Sequence, residues 1–278
     1  MRGVLLAASI ALMAGPAFAG PFEDSEAALQ RGDYVTALEL LRPLAAEGHT
    51  AAQATLGMLY QFGRGTAQDY GEALRWYRLA ADKGFGRAQN NLGIMYQNGY
   101  GVTQNYSEAV KWYRRAADLD YVEAQYNLGN MYQKGLGVPQ DYKKAVKWYR
   151  LASDQRYAPA QNNLGGMYQQ GLGVSQDFTE AVRLYRNAAE QGEALAQNNL
   201  GIMYATGQGI PKDYVQALMW FSLALSSGNH TAAGNRDKVV EFMNPAQIAE
   251  AQNLVREWRP QPVSGPSILI HPLKTGSH

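Results

Sequence analysis

The side chains that could do chemistry in this 278-residue chain are few. The four histidines, His49, His230, His271 and His278, are scattered, with no H-E-x-x-H and no partners at ligand spacing, so no metal site is expected. There is no cysteine, which removes thiolate catalysis, a disulfide framework and a lipid-modified cysteine. G-x-S-x-G and S-x-x-K are missing too, so neither a hydrolase elbow nor a penicillin-recognising serine is predicted. What remains is amides. Asn91, Asn127, Asn163 and Asn199 form one evenly spaced column, flanked by Asn90, Asn162 and Asn198, by Tyr126 and Asn130, and by Gln97, Gln133 and Gln169. An amide carries a donor and an acceptor, so its chemistry is hydrogen bonding rather than catalysis. No catalytic residue and no cofactor is predicted.

The elements that position these amides recur with one period. Leu-Gly pairs begin at Leu56, Leu92, Leu128, Leu164 and Leu200, each step being 36 residues with no insertion or deletion. The Gly-x-Gly of Gly63/Gly65, Gly99/Gly101, Gly135/Gly137, Gly171/Gly173 and Gly207/Gly209 keeps that step. So do Trp76-Tyr77, Trp112-Tyr113, Trp148-Tyr149 and Trp220-Phe221, with Leu184-Tyr185 the variant pair. A fixed period of this length means a tandem array in which each unit packs on its neighbours.

In the copy from Ala88, apolar or small residues at Ala88, Leu92, Met95 and Tyr96 stand at helical spacing, predicting a first helix of roughly ten residues. It stops at Asn98-Gly99. Gly93 lies inside it, and glycine there costs about 1 kcal/mol relative to alanine, so a close approach by another helix is expected. After the glycine link, Asn105 stands three residues before Glu108, the pattern of a capping box; Asp69/Glu72, Asp177/Glu180 and Asp213/Gln216 repeat it. Asp141 is followed by Lys144 and keeps only the N-cap half. A second helix follows, burying Tyr106, Ala109, Trp112-Tyr113 and Ala116-Ala117. Rings that return every 36 residues at core-facing positions are packing rather than a ligand cage. The Gly-x-Gly links lack the strand context and the Gly-Lys-Ser/Thr ending of phosphate loops.

Each unit is thus a helical hairpin, with the signature A-x-x-x-LG-x-MY-x-x-G-x-G, then D/N-x-x-E-A-x-x-W-Y and A-A. This resembles the Sel1-like repeat, a relative of the tetratricopeptide repeat, over about 51–227. The resemblance implies an all-α fold, a right-handed α-solenoid of helix-turn-helix repeats, used mostly as an adaptor in signalling, secretion and envelope processes. It also implies that the first helices line the concave face. On that analogy Asn91, Asn127, Asn163 and Asn199 would hold the backbone of an extended peptide, with the flanking amides and Tyr126 beside them. The same column could instead satisfy a neighbouring helix terminus, because buried polar groups need partners in any packed stack. One cysteine-rich branch of the family is associated with β-lactams, but this chain lacks those cysteines.

Arg2, the apolar run from Val4 to Met13 and Ala17-Phe18-Ala19 predict a secretory signal peptide over 1–19. Of the 25 Lys and Arg, Arg2 lies in that segment, so the remainder carries 24 charges of each sign. No long-range attraction to nucleic acid is expected. No later run reaches the roughly 20 apolar residues needed to span a bilayer, so no membrane insertion is expected after cleavage. Residues 20–50 are read as a divergent starting repeat, 228–259 as capping helices opened by Asn244-Pro245-Ala246-Gln247, and 260–278 as a flexible tail. The sequence predicts a monomeric, periplasmic or secreted, non-enzymatic scaffold that binds a protein or peptide, with regulation of an envelope signalling or assembly protein as the specific role that the family suggests. The alternative is a protein that binds or hydrolyses cell-wall fragments or β-lactams.

Overall fold

The computed structural model describes residues 20–261, among which there are 14 helices and no strand. The predicted signal segment and residues 262–278 of the tail lie outside the described residues. Helices α1 (Pro21–Gln30) and α2 (Tyr34–Ala46) form the opening hairpin. Five hairpins follow: α3 (Thr50–Phe62) with α4 (Tyr70–Asp82), α5 (Gly86–Asn98) with α6 (Tyr106–Ala117), and α7 (Val122–Lys134) with α8 (Tyr142–Asp154). Then come α9 (Ala158–Gln170) with α10 (Phe178–Glu190), and α11 (Ala194–Thr206) with α12 (Tyr214–Ser226). Helices α13 (Ala232–Val240) and α14 (Pro245–Glu257) both pack on α12. Up to α13 each helix packs on the one before it and the one after it, so the fold is a solenoid.

The close approach expected at Gly93 occurs in every copy, and what approaches is a ring. A Cβ built on Gly93 would lie 2.5 Å from the Tyr113 ring, and one on Gly129 would lie 2.6 Å from the Tyr149 ring. These rings are fully buried. The Gly-x-Gly link has two separate causes. Gly135 ends α7 in the left-handed region at φ 68, while Gly137 passes so near α6 that a Cβ would meet the Tyr106 carbonyl at 2.4 Å. The glycine that elsewhere follows the second helix is replaced by Asp120 and Arg156, which take φ of 58 and 62 at those positions.

The N-caps are as predicted: the side chains of Asp69, Asn105, Asp141, Asp177 and Asp213 each accept a first-turn N–H. The reciprocal half of the box does not form in the repeats. The N–H of Asn105 already donates to the Tyr96 carbonyl at 2.8 Å, and those of Asp69, Asp177 and Asp213 donate to Tyr60, Tyr168 and Tyr204. With no donor left there, Glu72, Glu108 and Glu180 pair instead with Arg75, Lys111 and Arg183 one turn on. These pairs are exposed and add little. Among the described residues only Asn244 and Gln247, where the cap N–H is free to meet Gln247 Oε1 at 3.0 Å, make the full box.

Two glycines of adjacent repeats, Gly129 and Gly166, separate the helix cost of glycine from the close approach it permits. Gly129→Ala should destabilise the array by about 1–3 kcal/mol, because the Tyr149 ring has nowhere to retreat. Gly166→Ala should stabilise it by up to about 1 kcal/mol, because its Cβ would meet nothing nearer than Tyr185 Oη at 3.6 Å. Denaturant midpoints for the two variants measure both signs.

Candidate functional site: the amide columns of the first helices

Three amide columns run along the first helices, and they do different things. The deepest is one that the sequence reading missed: Gln53, Gln89, Gln125, Gln161 and Gln197, all buried. Gln53, Gln89, Gln161 and Gln197 donate from Nε2 to the carbonyls of Ala45, Ala81, Ser153 and Ala189, at 3.0, 3.0, 3.4 and 3.3 Å. Each of those carbonyls ends the preceding second helix, so the task of satisfying a helix terminus belongs to this column. Gln125 reaches Asp120 Oδ1 instead, at 3.4 Å. The column's signal was its presence in all five copies.

The second column is Gln97, Gln133 and Gln169, together with Gln61. Their Oε1 atoms accept from the hydroxyls of Tyr113, Tyr149, Tyr185 and Tyr77, at 2.8, 2.6, 2.7 and 2.7 Å. Burial pushes all four phenols above their usual pKa, so each stays a neutral donor. In the fifth copy the ring is Phe221, and Ala205 stands where the glutamine would be. Hydroxyl and acceptor disappear together.

The third column holds the predicted ladder. Asn127 Nδ2 donates to Asn90 Oδ1 at 2.9 Å, Asn199 to Asn162 at 2.9 Å, and Asn235 to Asn198 at 3.0 Å. Asn235 extends the column into α13. Where Tyr126 replaces asparagine, Asn163 turns to Asn130 Oδ1 at 3.2 Å, and Tyr126 packs on Tyr149 and Tyr157. Asn91 stands opposite Ala54, which offers no acceptor, and opens onto a cavity of about 220 Å³. Asn90, Asn162 and Asn198 are buried, at 4, 8 and 9 % exposure, whereas Asn91, Asn127, Asn163 and Asn199 are half-buried. Among the described residues no donor reaches Oδ1 of Asn127 or Asn199, so each keeps an acceptor on the half-buried face.

Among the described residues no cluster of three His, Asp or Glu could hold a metal ion, and no helix is long and apolar enough to cross a membrane. A sequence model of the Sel1 repeat matches residues 50–85, 86–121, 122–157, 158–193 and 194–229, each match starting at the first residue of a first helix. The chain belongs to the Sel1 repeat family. It is 33 % identical to a Sel1 repeat protein from Oxalobacter formigenes, with a TM-score of 0.74 over 88 % of this chain and 100 % of that one. It is 35 % identical, with a TM-score of 0.73, to c5321, a protective antigen of uropathogenic Escherichia coli with an SLR fold. That match covers 85 % of this chain and 53 % of the antigen. The immunity protein Pa5087 of Pseudomonas aeruginosa shares the fold at 20 % identity, with a TM-score of 0.53 over 77 % of this chain and 85 % of that one. No curated protein matches. Sel1 repeat proteins generally mediate protein–protein interaction, and their scaffold is typically non-catalytic.

The tyrosine–glutamine contact of this Sel1 array can be measured by a double-mutant cycle. Gln169→Ala should cost about 1–3 kcal/mol by leaving the buried Tyr185 hydroxyl without an acceptor. The double variant Tyr185→Phe/Gln169→Ala, the natural state of the fifth repeat, should cost less than the two singles added, by about 0.5–3 kcal/mol. Strict additivity in thermal or denaturant unfolding contradicts the contact.

Proposed function

We propose that this Sel1 repeat protein is a non-enzymatic adaptor, exported from the cytoplasm, that holds an extended segment of another protein along the concave face of its first helices. The observation that carries the reading is the asparagine column: Nδ2 of Asn127, Asn163 and Asn199 is spent on the preceding repeat, while among the described residues no donor reaches Oδ1 of half-buried Asn127 and Asn199, which leaves each able to accept a peptide N–H. Rungs held in place this way are preorganised, which lowers the entropy lost on binding. The export motif of residues 1–19 directs the adaptor to an extracytoplasmic partner, and we assign it to the regulation or assembly of an envelope protein. That assignment rests on family analogy.

Removing the rungs is a poor test, because Asn127→Ala would leave buried Asn90 Oδ1 without its donor and cost about 1–3 kcal/mol by itself. Blocking the face without cutting a rung is cleaner. Gly166 stands 36 residues from Asn130 and Ile202, on the face of the column, and tolerates a Cβ. Gly166→Lys should therefore keep the thermal midpoint of the parent within a few degrees yet lose the protein captured by crosslinking in intact cells. Gly166→Ala should keep both. Equal capture by the parent and the lysine variant would sink the groove reading.

A further inference from the structure

The first rung, Asn91, opens onto a cavity between α3, α5 and the start of α7 that the framework of the repeat does not use. Its floor is Met58 and Ile94, with Phe62, 47 % exposed, on one side. Arg64 lies over the Phe62 and Tyr34 rings, 5.4 Å from each, and Arg87 lines the opposite wall beside the Tyr121 ring. Neither guanidinium has a carboxylate within ion-pair distance among the described residues. Glu123 is in the same wall, and its Oε2 is buried with no hydrogen-bond donor among the described residues.

Those features specify an occupant. At about 220 Å³ the space is below the roughly 300–1,000 Å³ of small-molecule sites, and it suits one side chain. The floor is apolar, so that side chain is a leucine, isoleucine, methionine or phenylalanine, the kind of anchor that carries binding energy at interfaces. Two unpaired arginines on the rim against the single Glu123 leave a positive excess, which complements an acidic residue next to the anchor.

We propose that this cavity is the anchor pocket of the groove, and that it takes a bulky apolar side chain adjacent to an aspartate or glutamate in an extended segment of the partner protein. The inference rests on the groove reading above and adds to it where the partner is fastened and with what chemistry.

The probe is a random peptide library displayed on phage and selected on the full chain, followed by affinity measurement on synthetic peptides of the enriched sequence. Leu, Ile, Met or Phe beside Asp or Glu should be enriched, and Ile94→Glu should weaken binding at least ten-fold. Ile94 and the rim arginines Arg64 and Arg87 are all half-buried, so a circular dichroism check accompanies each variant, and the rim variants provide an independent arm. In Arg64→Glu/Arg87→Glu the preferred neighbour of the apolar residue should switch to Lys or Arg. Enriched peptides without an apolar–acidic pair, or a charge reversal that leaves the preference unchanged, overturn the anchor. If such peptides are still blocked by Gly166→Lys, the groove stands and only the anchor falls; if no peptide is enriched on the folded parent chain, both fall.

Discussion

A buried aromatic ring resting on a bare stretch of helix backbone sets the distance between the two helices of each repeat. Tyr113 on Gly93 and Tyr149 on Gly129 leave no room for even a methyl group. A ring of that size removes a large apolar area from water, and this offsets the cost of a glycine in mid-helix. The approach then creates an obligation, since the tyrosine hydroxyl goes into the core with the ring and must find an acceptor. Gln97 and Gln133 provide it from four residues after the glycine, one turn along the same face. Glycine, glutamine and tyrosine thus act as one device. Phe221 and Ala205 show the same logic in reverse, because once the hydroxyl is gone the amide has nothing to accept.

Successive repeats are joined by contacts of equally constant reach. Arg78, Arg114, Arg150 and Arg186 donate to the hydroxyls of Tyr96, Tyr132, Tyr168 and Tyr204, always 18 residues on. The asparagine rungs span 37 residues where the pattern is unbroken. Neither of these contacts needs a partner further away than the next unit, which is the condition for an array whose stability grows by adding neighbours. The ladder stops where that neighbour changes: Ala54 offers Asn91 no amide acceptor, and α13 takes up Asn235 but has no second helix in register behind it, so α14 folds back onto α12.

Much of this was legible in the sequence where a residue contradicts its own preference. Glycine inside a helix needs a reason, and its reason was contact. The N-caps were legible because Asp and Asn accept first-turn N–H groups locally. The reciprocal half of the capping box was misjudged because it depends on whether the cap N–H is free, and the Tyr96 carbonyl that occupies the N–H of Asn105 is nine residues back, outside the pattern. The Gln89 column was overlooked for a similar reason. A glutamine between Ala88 and Asn90 looks like surface, and its burial comes only from the end of the preceding helix turning in above it.

Function is better sought where the period fails. The buried glutamine column that repeats without change from Gln53 to Gln197 is committed to neighbouring helices, so identity from copy to copy does not by itself mark function. On the groove face the copies diverge: Met58, Ile94, Asn130, Gly166 and Ile202 occupy one position, and Ala51, Arg87, Glu123, Pro159 and Leu195 another. Asn130 has a framework reason, since it accepts from Asn163 and from the Tyr149 hydroxyl, but no packing constraint of the hairpin explains the exchange of Ile94 and Ile202 for Gly166 at equivalent places. The extended ligand of the proposed function would, because it presents a different side chain to each repeat while presenting the same backbone to all. A uniform amide column beside a variable one is the surface such a ligand requires, the first reading what every peptide has in common and the second reading what distinguishes one peptide from another.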